Sequence, residues 1–280
     1  MRTTLSTLLF TLFTLILGAS PVMAAEQWAL AINGDDPSSC TSRSHRRNVD
    51  VAVESLEKLG FRSDRIVVLA HPAEDDHDSG WLEPTRSELR DALDELARKV
   101  GPDDTLVVYL TGHGYRMFGR SHLALGNSLV SAKWLSKALG EIRYGRLVII
   151  SDQCFSGGMD SEFGDLRESV FVSSASPKQT TSCVAFIRPF WRALVDPKND
   201  VNGDGQVSIE EAFVVASHHA EERAVATRPS DPIYRGLGGQ SLKVAARIMP
   251  TLIAAVPLAG RAVGERVAVM PASTGSSGSL

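Results

Sequence analysis

The sequence predicts an α/β fold, a three-layer α/β/α sandwich around a mostly parallel central sheet. Short β-branched apolar runs alternate along the chain with longer segments whose apolar residues recur at helical spacing. Those runs are continuously apolar rather than alternating, the pattern of strands covered on both faces. Open sheets of this kind bind ligands beyond the carboxyl ends of their strands, which fixes where chemistry should be sought.

The first strand is Trp28 to Ile32, followed by a polar loop from Asn33 to Arg47 and a helix from Val49 to Leu59 that stops at Gly60. Ile66 to Ala70 is the second strand. After an acidic loop containing Glu74 to Asp78 comes an amphipathic helix over Thr85 to Val100, with Thr85 and Glu88 in capping-box spacing. Thr105 to Leu110, Arg146 to Ile150 and Val170 to Ser173 are strands three to five, with a helix around Ser131 to Leu139 between the third and fourth.

Residues 1–25 are read as a signal peptide. Met1-Arg2 is a short basic start, Leu8 to Gly18 is apolar, and Pro21 to Ala25 supplies small residues for cleavage. The run is short for a membrane span, and no cysteine follows it for lipid attachment. The expectation is a secreted or periplasmic protein without a stable membrane anchor. Residues 26–250 form one domain, and 251–280 a tail whose Gly/Ser-rich end is expected to be disordered. A net charge of −4, with Lys and Arg scattered, argues against nucleic acid as partner. Three cysteines in an oxidising compartment suggest one disulfide and one remaining thiol.

The third strand runs into Thr111-Gly112-His113-Gly114, and the fourth into Ser151-Asp152-Gln153-Cys154 followed by Phe-Ser-Gly-Gly. A thiol and an imidazole at neighbouring strand ends suit a nucleophile and its general base. The backbone amides of Gly114 and Cys154 are candidates to hold an oxyanion. Either residue alone would be read as a small core hydrophobe or a hydrogen-bonded loop histidine; the pair, each beside glycine, is read as catalytic.

These pieces, VVYLTGHG and IISDQCFSGG, together with Val172 to Cys183, resemble the caspase/hemoglobinase-fold cysteine peptidases, and within them the legumain-like group. The resemblance spans roughly Gln27 to Tyr234. It implies a Cys–His dyad acting on peptide or protein substrates through a thioester, with no third orienting residue. It also implies that Asp152 lines the S1 pocket, walled by the segment carrying Thr180 and Thr181, and that an arginine from the loop after the first strand, Arg43 or Arg46, joins it. Asp152 with an arginine would suit Asn or Asp at P1; Asp152 alone would suit Arg or Lys. Cys40 and Cys183 both fall in segments expected to border S1, so a Cys40–Cys183 disulfide is proposed. A transpeptidase using the same thioester, or a catalytically silent calcium-binding or interaction module, are the alternatives.

Asp200 to Glu211 also fits a twelve-residue EF-hand loop for Ca²⁺. Asp200, Asn202 and Asp204 supply oxygens, Gly205 the sharp turn, Gln206 its carbonyl, Ser208 a water-mediated contact and Glu211 the closing carboxylate. A structural calcium behind the S1 loop is the expectation.

Overall fold

The computed structural model describes residues 25–72, 80–181, 185–224, 232–237 and 241–242. The signal-peptide reading, the acidic loop, Cys183 and the tail lie outside them. Among the described residues no helix is long and apolar enough to cross a membrane.

A seven-stranded sheet forms the middle layer. Its parallel part comprises β1 (Gln27–Asn33), β2 (Ile66–Leu69), β3 (Thr105–Thr111), β7 (Arg146–Asp152) and β8 (Ser169–Ser173). Two short antiparallel strands, β9 (Ile233–Arg235) and β10 (Ser241–Leu242), extend one edge, giving the order β10-β9-β8-β7-β3-β1-β2. Side chains alternate between faces. Ala29, Ala31, Val107, Tyr109, Val148 and Ile150 enter one core with α1 (Ser42–Lys58), α5 (Ile187–Leu194) and α6 (Ile209–Ala224). Leu30, Ile32, Leu106, Val108, Leu147 and Ile149 enter the other with α2 (Arg86–Lys99), α3 (Ala132–Gly140) and the short α4 (Asp160–Phe163). Both faces are therefore dry, as continuous apolar runs require. The Thr85 hydroxyl accepts from the Glu88 amide and starts α2 where the capping-box spacing places it.

Two differences from the sequence expectation matter for the site. Helix α1 begins at Ser42 rather than Val49, so the last six residues of the polar stretch 33–47 are helical. Its polar residues Thr41, His45 and Asn48 recur at helical spacing toward the sheet end, and His45 and Asn48 are buried there. Polar burial hides the periodicity that apolar residues would have shown. Next, β4 (Gly114–Met117), β5 (Arg120–Leu125) and β6 (Ser128–Ser131) form a separate antiparallel sheet directly after His113. Phe118 and Gly119, at φ 49° and 79°, make the two-residue turn between β4 and β5.

Candidate active site

Strands β1, β3 and β7 are adjacent, parallel and end in register. Asn33 pairs with Thr111, and Thr111 with Asp152. Two residues beyond each of these lies a reactive side chain: Asp35, His113 and Cys154. The sheet thus lays a carboxylate, an imidazole and a thiol side by side.

The chain at Gly114 lies tight against the segment Gln153–Cys154. A Cβ there would come within 2.1 Å of the Cys154 carbonyl oxygen and 2.6 Å of Gln153 Cγ, so only glycine fits. After Cys154 the chain turns sharply, with Phe155 in the left-handed region at φ 63°. For a bulky residue that is a strained conformation, held by its surroundings. The Phe155 amide donates to the Gln179 carbonyl (2.8 Å), its carbonyl accepts from the Ser121 hydroxyl (2.7 Å), and the Gly157 amide donates to the Ala175 carbonyl (2.8 Å). The segment after β8 and the small sheet therefore clamp the turn after Cys154 from both sides. Cys154 is half-buried, and the His113 side chain is 42% exposed.

His113 is held by the loop after β1. Its Nε2 is 3.3 Å from each of Ser39 Oγ, Thr41 Oγ1 and Asp35 Oδ1. Asp35, with its side chain 1% exposed, also meets His45 Nδ1 at 2.6 Å through Oδ2. Burial pushes the Asp35 carboxyl up, but the His45 hydrogen bond and the charges of His45 and His113 outweigh it and hold the group below the ordinary carboxylate range. The sequence singled out no residue beside His113. Asp35 is the carboxylate that the structure brings to it, and its one signal was its position two residues past a strand end.

Asp152 is buried at the end of β7, where Oδ2 accepts from Asn48 Nδ2 (3.3 Å) and Thr111 Oγ1 (3.5 Å). The arginine beside it comes from neither expected position. Arg43 is exposed, while Arg46 bonds Asp50 (3.1 Å) and lies over the Trp81 ring. Arg188, on α5, donates from Nε to Asn48 Oδ1 (2.7 Å) and from its terminal nitrogen to the Ser44 carbonyl and hydroxyl (2.9 Å each). Arg43 is in solvent and Arg46 is engaged by Asp50 and Trp81, while buried Asn48 takes the place against Asp152. Burial and the Asp152 charge push the Tyr109 phenol beneath them well above its ordinary value. Thr180 is exposed and Thr181 half-buried beyond the Gln179–Phe155 contact. Cys40 is exposed, and its proposed partner Cys183 lies outside the described residues.

The loop Asp200–Glu211 is elsewhere. Asp200, Gly205, Gln206 and Val207 border a cleft of about 1000 Å³ whose other wall includes Gln27, Thr105 and Arg146, the first residues of β1, β3 and β7. It therefore stands at the amino end of the sheet and does not back the S1 loop; its fusion to α6 carries it there. Asp200 accepts from the Gly203, Asp204 and Gly205 amides at 2.8–3.2 Å, with Gly203 and Gly205 at positive φ. The Asn202 amide nitrogen donates to Asp204, and Glu211 accepts from Val201, Asn202 and Ser208. Among the described residues no three His, Cys, Asp or Glu side chains gather closely enough to hold a metal.

With this geometry in place, comparison with known proteins decides the family. The caspase-domain model matches residues 26–231. The chain belongs to the caspase-domain family. Metacaspase-4 of Arabidopsis thaliana is 29% identical over 157 residues, which is 50% of this chain and 36% of that protein. Metacaspase-8 of the same plant is 27% identical over 135 residues, 44% of this chain and 33% of its own length. The chain thus spans about a third of these curated relatives. Among solved structures, protein GSU0716 of Geobacter sulfurreducens aligns with TM-score 0.50 and 16% identity over 77% of this chain and 95% of its own. The Drosophila initiator caspase Dronc aligns with TM-score 0.50 and 13% identity over 81% and 89%. These likenesses bear on the fold, and they agree with the caspase-like sheet described above.

Proposed function

We propose that the chain is a cysteine endopeptidase whose nucleophile is Cys154 and whose general base is His113. The observation that carries this reading is the in-register end of β3 and β7, with His113 and Cys154 each two residues past it and Gly114 packed on the Cys154 carbonyl. In the proposed reaction His113 takes the thiol proton and Cys154 sulfur adds to the peptide carbonyl, with the Gly114 and Cys154 amides receiving the oxyanion. The proton then passes to the leaving amine as the C–N bond breaks. Water, deprotonated by His113, cleaves the thioester and restores the thiol. A thiol-reactive peptide probe should label Cys154 in the full chain. Labelling that persists unchanged at other sites in Cys154→Ala, with no loss of peptide cleavage, would sink the reading.

At P1 we favour a neutral amide side chain. Asp152 has the Arg188 guanidinium linked to it through Asn48, so a P1 cation would meet a carboxylate already opposed by positive charge. That agrees with the legumain-like pieces at 172–183. A library varied at P1 should prefer Asn over Arg, and Arg188→Ala should move the preference toward Arg and Lys; equal cleavage of all P1 residues would reject the assignment.

We also propose that Asp200–Glu211 takes Ca²⁺ in a structural role at the amino end of the sheet, and that the protein is exported. The loop's turn at Gly205 and its oxygen-rich positions support calcium, and the amides that donate to Asp200, Asp204 and Glu211 already hold these carboxylates within the loop. Calorimetric titration of the full chain with CaCl₂ tests binding directly. No heat at millimolar calcium would end the proposal.

A further inference from the structure

Resting on the endopeptidase reading, we propose that Asp35 is a positioning residue that holds His113 by Nε2, fixes Nδ1 as the nitrogen facing the thiol, and stabilises the imidazolium formed when Cys154 is deprotonated.

The geometry has three parts. Asp35 Oδ1 is buried and lies 3.3 Å from His113 Nε2 as an ion-pair contact, and among the described residues it accepts no hydrogen bond. The Thr41 hydroxyl, which donates to Asp35 Oδ2, lies 3.3 Å from the same nitrogen with a lone pair left to accept from it. A buried carboxylate beside one ring nitrogen favours a proton on that nitrogen, because an unprotonated nitrogen there would leave lone pair facing lone pair. Neutral imidazole carries one N–H, so with Nε2 protonated the lone pair is on Nδ1. The Cys154 S–H proton then moves to Nδ1, leaving a thiolate and an imidazolium whose Nε2–H remains on the Asp35 side. Charges and protons balance within the site.

Asp35 is itself fixed on every side. Its amide donates to Asn33 Oδ1 (3.1 Å), and its Oδ2 accepts from the Thr41 hydroxyl (3.2 Å) and lies 2.6 Å from His45 Nδ1. His45 is buried on α1 and meets the His113 ring edge-on, with centroids 5.4 Å apart. The titratable groups around His113 are therefore Asp35 and His45 from the β1–α1 side and Cys154 from β7. The Asp152–Asn48–Arg188 chain sits one turn along α1. Of these, Asp35 is the anion in contact with the ring.

The test is the pH dependence of Cys154 alkylation by iodoacetamide, followed by peptide mapping of the full chain, for the parent, His113→Ala, Asp35→Asn and Asp35→Glu, with thermal unfolding in parallel. A thiol without help ionises near pH 8.5. The parent should react well below that, Asp35→Asn should react about tenfold more slowly near pH 6 with its profile moved upward, and Asp35→Glu should recover part of the rate. An Asp35→Asn profile identical to the parent's, with only a lower melting temperature, would make Asp35 a structural residue and overturn the inference alone, provided His113→Ala still shifts the profile. If His113→Ala leaves the profile unmoved, the endopeptidase reading falls and this inference falls with it.

Discussion

The two ends of the same three strands differ sharply. At the amino end of β1, β3 and β7 lies a wide cleft of about 1000 Å³, bordered by Pro102, Pro197, Gly145 and the Asp200–Glu211 loop. At the carboxyl end buried polar groups converge: Asp35, His45, Asn48, Thr111 and Asp152. Burying such groups is costly unless each is partnered, so a fold keeps them where their arrangement serves chemistry. A wide cleft stands at one end, and the buried polar groups gather at the other. Convergence of polar side chains, rather than volume, marks the site.

Breaking the carboxyl end should have the largest effect. Gly114→Ala forces a methyl group into the Cys154 carbonyl, displacing the thiol by a sizeable fraction of an ångström. Cleavage of a peptide substrate should fall by about 100-fold or more, a loss typical of small misplacements of reacting groups, while far-ultraviolet circular dichroism stays nearly native. Retained kcat/KM would show that the two strand ends are less tightly coupled than the structure implies.

The matching change at the amino end is Gly145→Ala, whose Cβ would lie 2.8 Å from the Pro102 carbonyl and 2.9 Å from Asp103 backbone. This should cost about 1–3 kcal/mol of stability, read as a lower urea midpoint, with activity per folded molecule unchanged. A parallel loss of activity would erase the contrast between the ends. Smaller still, on the proposal that the loop takes Ca²⁺, a chelator should lower the melting temperature by a few degrees and leave kcat/KM of the remaining folded protein alone, since the loop stands at the other end of the sheet from Cys154.

The smallest effect concerns acid. Asp35 has a folded pKa below its ordinary value of 3.8, so its contribution is fully present above that pH and fades as pH falls through the folded value. Below about pH 3.8, the stability gap between parent and Asp35→Asn should therefore narrow. An unchanged gap down to pH 2 would mean that the carboxylate charge contributes nothing to folding.

Much of the parallel sheet was legible because its strands are buried on both faces and read as continuous apolar runs, from Trp28 to Val172. The positions of His113 and Cys154 at strand ends followed from that reading. What stayed hidden is polar or long-range. The first turns of α1 carry buried His45 and Asn48 in place of apolar residues, so no hydrophobic period announces them. Arg188 meets Asn48 across 140 residues of chain, a contact without any local signature. Strands β4 to β6 are short, and β4 is largely exposed, so propensity was too weak to separate them from loop.

The small sheet also decides how the chain tolerates being cut. The His113 carbonyl is bound by the Ala124 amide, and the Gly34 carbonyl, one residue before Asp35, is bound by Gly126. The end of β5 and the glycine that follows it thus grip both the loop that carries His113 and the loop that carries Asp35. The β4–β5 turn ends in Phe118, 97% exposed, beyond four paired residues on each strand. A nick between Phe118 and Gly119 would leave both grips intact, and the site would persist as a two-chain assembly.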